Sequence, residues 1–344
     1  MHDSDSLLKL NPSDPLWTSF LDANTDINIF YHPAWLQLMT ECYGYRSFVL
    51  ALADATGGLS VAVPLMEVSS PLTGRRWISL PFSDYCRPLS KDESSLKDFT
   101  GQVVRLVESE QVPVLELREM YPAHPSLHTY SNHVMHKLDL SPGYDATWKG
   151  VHAMHRRNVR VALDNGVEVI CGDKTEHMAE FYRLHLHTRR RQGVPIQPWK
   201  FFVSMKKLLL DQGNGFLLLA YKNQRCIAGA LYLHWKDTLT YKYGASTEDS
   251  LKYRPNNLIM WTAIQRACEQ GYRYFDMGRT DLANGGLRTF KSRWGAVEIP
   301  LAYSSTNSTH ATEGRLAHYM HFVIKKSPSW VCRLSGELLY RHFG

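Results

Sequence analysis

The sequence predicts a mixed α/β fold with antiparallel hairpins, used twice along the chain. Three observations carry this. Apolar, strand-like runs come in pairs joined by turn-rich loops: Ser47 to Leu52 with Ser60 to Val68, and Gly215 to Ala220 with Cys226 to Leu233. Each pair is followed by strand and helix patterns in the same order. The two pairs also resemble each other, Phe48–Ala53 matching Phe216–Tyr221 and Val61–Leu65 matching Ile227–Leu231.

Taken in order, residues 1–28 are polar, with Pro12 and Pro15, and read as a loose lead-in with one helical turn around Trp17 to Leu21. A helix follows from Pro33, which suits a first turn, with Trp35, Leu38, Met39 and Cys42 as its apolar stripe. Gly57 and Gly58 close the first hairpin loop. Arg75 to Leu80 reads as a strand, leading into a polar loop, Pro81 to Pro88, that could line a pocket. Leu96 to Glu110 is an amphipathic helix, Val112 to Arg118 a strand, Tyr121 to Tyr130 a Pro/His-rich loop, and His133 to Leu140 a strand.

Ser141 to Asp145 reads as a join between two domains, 1–147 and 148–303, with 304–344 as a helical tail. One helix is expected over Thr147 to Asn165, closed by Gly166. Helices over Phe181 to Arg191 and Trp199 to Leu210 precede the second hairpin, and Leu239 to Gly244 follows it as a third strand. Asn256 is a candidate N-cap for a helix over Leu258 to Gln270, closed by Gly271. The tail divides into helices over Glu313 to Ile324 and Trp330 to Phe343, parted by Ser327 and Pro328.

Composition narrows the class. With 344 residues, two domains of ordinary size are expected, and 44% hydrophobic content supplies a packed core. A net charge of +6 favours an anionic partner such as RNA, a nucleotide, a phospholipid surface or a polyprenyl phosphate. Six scattered cysteines without a C-x-x-C pair argue against a zinc ribbon or disulfide scaffold and fit a reducing cytoplasm. Residues 1–10 show no signal-peptide pattern, and no apolar run reaches the ~20 residues that span a bilayer. The expected place is therefore cytoplasmic, with peripheral contact at the inner membrane face as an option.

Chemistry concentrates between Tyr272 and Tyr303. A short aromatic run stops at Asp276-x-Gly278 and is followed by Arg279 and Asp281. Leu287, Phe290 and Trp294 then lie at helical spacing, with Lys291 one turn after Leu287. A strand would deliver carboxylates and arginines to its own end, and a short helix would return one lysine over them. The plain alternative is that Asp276, Arg279 and Asp281 cap a turn and Lys291 is solvated.

Elsewhere, Arg156 and Arg160 stand on a basic helix suited to phosphates, or to solvent. His152 and His155 lack a third ligand at metal-binding spacing, so no metal is expected. The arginine run 189–191 ends a helix, either as plain surface or facing a cleft. Tyr241 and Tyr243 share one face of a strand by alternation, as core or with hydroxyls toward a substrate channel. The basic amphipathic pattern from Lys325 to Phe343 suits either packing on the second domain or an interfacial helix. Nucleophile-elbow, P-loop and Rossmann patterns are absent.

The run Phe275-Asp276-x-Gly278, then Gly286-Leu287-x-x-Phe290-Lys291-x-x-Trp294-Gly295, resembles the C-terminal signature of the FemAB family and of FemAB-like, GNAT-type acyltransferases. The resemblance spans about Tyr31 to Tyr303 and is dense in the second half. It implies tandem GNAT-like domains, each a mostly antiparallel sheet flanked by helices. It implies aminoacyl transfer from aminoacyl-tRNA to an amine on an anionic envelope or polysaccharide precursor. Lys291 would stabilise negative charge, Asp276 or Asp281 would orient or deprotonate the amine, and Arg279, Arg156 and Arg160 would steady phosphates. Tyr241, Tyr243, Asn256 and Phe290 complete the expected substrate site.

No bound cofactor is implied, the donor being a co-substrate. Two departures stand beside this. GNAT acetyltransferases carry a glycine-rich phosphate loop before the helix that starts here near Leu258, and this chain has none. Fem ligases acting on peptidoglycan precursors carry a lysine one turn after the first-helix tryptophan, where this chain has Met39. The alternatives are an N-acyltransferase using acyl-CoA in lipid or exopolysaccharide biosynthesis, and a non-catalytic glycolipid-binding module.

Overall fold

In the computed structural model, residues 7–25, 27–308 and 324–342 are described. Contacts divide the chain into two units: residues 1–133 with 300–312 and 341–344, and residues 134–299 with 313–340. The chain passes from one unit to the other inside two strands, His128–Asp139 and Val297–Ser305.

The first unit opens with β1 (Leu7–Leu10) and α1 (Pro15–Ala23). The lead-in is thus ordered from Leu7 on, β1 pairing antiparallel with the strand at Arg46–Ala53. A four-residue edge strand of mixed polarity leaves too short a pattern to be read from sequence. The unit continues through α2 (Pro33–Tyr43), β2 (Arg46–Ala53), β3 (Leu59–Ser70), β4 (Gly74–Ile78), β5 (Leu89–Ser90), α3 (Glu93–Ser109) and β6 (Val114–Leu117) to the start of β7 (His128–Asp139). Strands β1 to β4 pair antiparallel in order, and β4 pairs parallel with β6.

The second unit takes up β7 at Val134 and continues through α4 (Tyr144–Gly150), α5 (Ala153–Asp164), β8 (Glu168–Gly172), α6 (Thr175–Arg191) and α7 (Trp199–Met205). It then runs through β9 (Gly215–Lys222), β10 (Arg225–Trp235), β11 (Thr238–Ser246), α8 (Pro255–Glu269), β12 (Tyr274–Asp281) and α9 (Gly285–Ser292) to the first residues of β13 (Val297–Ser305). Helix α10 (Ser329–Leu339) also belongs to it. Strands β8 to β11 pair antiparallel in order, and β11 pairs parallel with β12.

The two units repeat one topology. Each runs strand, two helices, three antiparallel strands, helix, then a strand parallel to the third. The duplicated hairpin signal was the visible part of this repeat. The crossovers through α3 and α8 are what a parallel neighbour requires, because a tight turn can only return antiparallel.

Several expectations need correction. The helix over 147–165 is two helices, broken at Val151 and His152, where His152 takes up extended backbone and its Nδ1 accepts from Met154 N at 3.1 Å. The helix expected to reach Leu210 changes to a wide π turn at Lys206–Leu210. Strand β8 escaped notice because three of its five residues are exposed. The expected helix over 313–324 lies outside the described residues except for Ile324. Among the described residues no helix is long and apolar enough to cross a membrane.

The core of the second unit lies between the sheet and α5 and α8. Ala228, Ala230, Tyr232, Leu239 and Phe275 meet Val159, Leu258, Ile259, Ala263, Ile264 and Trp294 there. The other face of the sheet is covered by α6 and α7 through Phe181, Phe201 and Phe202.

Candidate functional site

The site of the second unit is set by where β11 and β12 stop pairing. Their parallel register runs from Thr238 opposite Tyr274 to Thr240 opposite Asp276. Beyond it β11 continues to Ser246 and β12 to Asp281. A bulge falls at the same level of β11. Leu231 faces Tyr243 and Tyr232 faces Tyr241, so Lys242 is the extra residue.

The bulge reverses the alternation. Tyr241 packs with Tyr232 on the α8 side, and burial pushes its phenol up to about 12. Tyr243 turns to the α6 and α7 side, against His185 and Phe202, and its hydroxyl accepts from Gln197 Nε2 at 3.0 Å. The two tyrosines expected on one face therefore occupy opposite layers.

Where β12 stops pairing with β11, Asp276 is fully buried and its Oδ1 accepts from the amide of Gly278 at 2.7 Å. Gly278 has φ +71°, a conformation that disfavours any side chain. Its carbonyl accepts from Lys291 Nζ at 2.8 Å, and the carbonyl of Arg279 does so at 3.2 Å. Asp276 and Lys291 are thus joined through one glycine. Lys291 is only 4% exposed, so the solvated alternative does not hold. Asp281 is exposed, its Oδ1 accepting from Ala283 N at 2.7 Å to cap the turn into α9.

Helix α9 shows two faces. Lys291 faces β12. Gly285, Gly286, Thr289, Phe290 and Arg293 line a cavity of about 550 Å³, together with the start of α5 and the start of α8. From α8 and the turn before it come Arg254, Asn256 and Asn257, and from α5 come His155 and Asn158. The cavity lining carries two guanidinium groups and no carboxylate. Of the residues expected at the site, Asn256 and Phe290 line it. Arg156 is drawn elsewhere, its Nη1 donating to the carbonyl of Lys149 at 3.1 Å at the end of α4, and Arg160 is exposed on the same helix.

The start of α8 differs from expectation. Arg254, with φ +57°, is the N-cap residue and Pro255 takes the first helical position, because proline has no N–H to leave unsatisfied there. No side chain caps this end. Asn256 instead donates its side-chain amide to Ser246 Oγ at 3.2 Å. Pro255 has no N–H and Asn257 N donates to the Arg254 carbonyl at 3.1 Å, so the positive end of α8, beside two arginines, is suited to an anion.

His155 pins the three helices together. Its Nε2 lies 2.9 Å from the carbonyl of Phe290, which can only accept, so Nε2 carries the proton. Its Nδ1 then accepts from Asn257 Nδ2 at 3.1 Å. Burial holds its pKa below the usual value, in line with a neutral ring. Both nitrogens are engaged, so His155 offers no lone pair to a metal or a substrate proton. Its ring also packs against Phe290 and Trp294, with centroids 4.9 and 4.6 Å away.

A charged cluster braces α9 from behind. Arg288 makes a bidentate pair with Glu298, Nε to Oε2 at 2.9 Å and Nη2 to Oε1 at 2.7 Å. His136, fully buried on β7, lies with Nε2 3.3 Å from Glu298 Oε2. Hydrogen bonding to Arg288 holds the Glu298 carboxyl below its usual range. Burial first, and the Lys291 charge second, hold His136 below its usual value.

Residues 140–292 match the acetyltransferase (GNAT) domain family. That stretch runs from the end of β7 to the end of α9 and contains the cavity lining except Arg293, which lies one residue beyond it. The chain thus carries a GNAT-type domain and is an acyltransferase. Solved structures extend the likeness of fold over most of the chain. The crystal structure of FemX is 14% identical, with a TM-score of 0.67 over 87% of this chain and 96% of that one. The structure of L-PGS from Bacillus licheniformis is 13% identical, with a TM-score of 0.56 over 92% of this chain and 99% of that one. A tandem GNAT protein from the clavulanic acid biosynthesis pathway is 10% identical, with a TM-score of 0.54 over 88% of this chain and 99% of that one. At these identities the likeness is one of fold, here tandem GNAT-like. No curated protein matches the sequence.

Arg254, Asn257, His155 and Arg293 were not singled out as members of one site. The signal for the first was the Arg254-Pro255 pair opening a helix, which marks the true N-terminus. Arg293 and His155 could not be joined to it from sequence, since 138 positions separate them (293 − 155).

Proposed function

We propose that this acyltransferase moves an aminoacyl group from aminoacyl-tRNA to an amine on an anionic envelope or polysaccharide precursor. The observation that carries the reading is the cavity lined by Arg254 and Arg293 at the start of α8 and along α9, the helix that carries Lys291. Its volume suits the phosphate-bearing end of a nucleotide or nucleic acid. The chain also lacks a glycine-rich loop before α8, where a coenzyme A pyrophosphate would be cradled. FemX and L-PGS, with their shared fold, support the same direction.

In this reading the acceptor amine attacks the ester carbonyl of the donor. A carbon–nitrogen bond forms, the bond to the ribose oxygen breaks, and the amine proton ends on that oxygen or on solvent. No enzyme-bound intermediate is needed, because an unprotonated amine is itself a competent nucleophile. Holding the two reactants together supplies much of the rate. Lys291 places a buried positive charge against β12, past the point where β11 and β12 stop pairing, where negative charge on the carbonyl or the leaving oxygen would be stabilised. Asp276 fixes the Gly278 carbonyl that Lys291 holds, and so positions it. Arg254 and Arg293 take the donor phosphates, and Asn256 and Phe290 line the same cavity.

A second reading, N-acyl transfer from acyl-CoA, is favoured by the GNAT-domain match. One experiment separates the two. The protein is incubated with charged tRNA and, separately, with acyl-CoA in the presence of amine acceptors. Deacylation of the tRNA with amide formation supports the first reading; release of coenzyme A thiol replaces it with the second.

A further inference from the structure

Helix α10 carries two apolar faces, and among the described residues one of them is left exposed. Its inner face is fixed. Cys332 and Gly336 are buried, and Cys332 Sγ lies 3.5 Å from the carbonyl of Val194. Gly336 approaches the backbone so closely that a Cβ there would stand 1.8 Å from the carbonyl oxygen of Ile196. Arg190 Nε donates to the carbonyl of Ser327 at 2.5 Å, just ahead of the helix. The helix therefore cannot roll about its axis.

The outer face holds Trp330, Leu334 and Leu338 at i, i+4 and i+8, exposed by 62%, 45% and 65%. Three large apolar side chains in one line on a rotationally fixed helix are more than scattered surface hydrophobics. Cations surround them. Lys325, Lys326 and Arg333 are exposed, and Arg191 is exposed at the end of α6, next to the Arg190 that holds Ser327. The one acidic residue of the helix, Glu337, is paired with Arg333 at 3.1 Å.

We infer that this face docks on a bilayer surface bearing anionic lipids. An apolar stripe with an indole at one end, lying along the helix axis and flanked by lysine and arginine, matches the headgroup–acyl boundary. The charge pattern selects the occupant. A second copy of this face would bring the same cations together, whereas an anionic leaflet neutralises them. Of the arginine run at the end of α6, Arg191 joins the same surface, while Arg189 and Arg190 donate to the carbonyls of Pro195 and Ser327. The inference stands apart from the transfer reading, since docking is measured without donor or acceptor.

The test is co-sedimentation of the full chain with vesicles of phosphatidylcholine alone and of phosphatidylcholine with about one third phosphatidylglycerol. The wild-type chain should bind the anionic vesicles and release as salt rises. Trp330→Ser with Leu338→Ser should weaken binding more than about tenfold. Lys325→Glu with Lys326→Glu should also do so, at about fivefold or more per charge. The melting temperature of Trp330→Ser with Leu338→Ser should be unchanged, because both side chains are exposed. No binding to anionic vesicles, equal binding to both compositions, or undiminished binding by both double variants overturns the inference. A wild-type dimer that Trp330→Ser with Leu338→Ser turns into a monomer also overturns it and assigns the face to a second copy.

Discussion

Lys291 Nζ donates to the carbonyl of Gly278 at 2.8 Å, thirteen positions earlier in the chain, inside a site almost closed to water. Burying an ammonium is costly unless its protons are accepted, and two carbonyls of β12 accept here. The lysine is therefore both part of the fold and a fixed positive charge beside the place where β11 and β12 part.

Lys291→Ala is expected to lower turnover by roughly 10²–10³, the range for losing one preorganised stabilising group. It should also cost about 1–3 kcal/mol of stability, because it leaves buried carbonyls without their donor. Lys291→Arg should not restore turnover, since a planar guanidinium directs its donors differently. Urea denaturation alongside single-turnover kinetics reads both effects; full turnover in the alanine variant would remove Lys291 from the mechanism.

Arg254→Gly keeps the left-handed backbone that opens α8 while removing the guanidinium. With Arg293→Gln it should weaken donor binding, each by about 5- to 30-fold, as for loss of a charge-assisted hydrogen bond. The slope of log affinity against log salt should flatten in both. Filter binding with charged tRNA over a salt series measures this.

Gly285 lines the cavity with a bare backbone, and a Cβ added there meets nothing within 4 Å. Gly285→Ala should therefore be tolerated in fold and activity. Gly285→Leu should fill the cavity mouth and depress turnover with little change in melting temperature. Equal activity of the two variants would show that the donor does not enter here.

His185 is fully buried, stacked on Phe181, and burial pushes its pKa down to about 3. In the unfolded chain it titrates near its ordinary value of about 6.5. Between those values the unfolded state binds more protons than the folded one. Stability is thus complete above about pH 6.5 and falls as pH drops toward 3. His185→Phe should flatten this dependence in urea melts at pH 7.5, 6 and 5; an unchanged slope would place the titration elsewhere.

Gly336→Ala should loosen α10 from the second unit, because its methyl carbon would collide with the Ile196 carbonyl. Overpacking of this kind costs about 1–3 kcal/mol. Limited proteolysis should show earlier cleavage near residues 324–342 in the variant.

Much of the fold was legible because it rests on local pattern. The hairpins at 46–70 and 215–235 follow from turn chemistry and apolar runs, and their repetition exposed the duplicated topology. Trp294 as an anchor and Gly166 closing α5 follow from residue type, whereas the strand expected to stop at Asp276-x-Gly278 runs on to Asp281. Two misreadings came from single-residue events. The bulge at Lys242 sends Tyr241 and Tyr243 to opposite layers, and no periodicity count can see one inserted residue. Pro255 starts α8 ahead of Asn256, so the asparagine turns to Ser246.

By itself the sequence determined which segments could be strands and helices and that they recur in one order. Tertiary structure decided which side chains share a site. The cavity is assembled from the starts of α5 and α8 and one face of α9, held together by one neutral histidine whose two nitrogens bond Phe290 and Asn257. Tertiary structure also turned Lys291 to β12 and Arg293 to the cavity, though they lie two positions apart on one helix. The physical reason is that a helix spreads neighbours around its axis, and only the packing of its partners fixes which direction is inward.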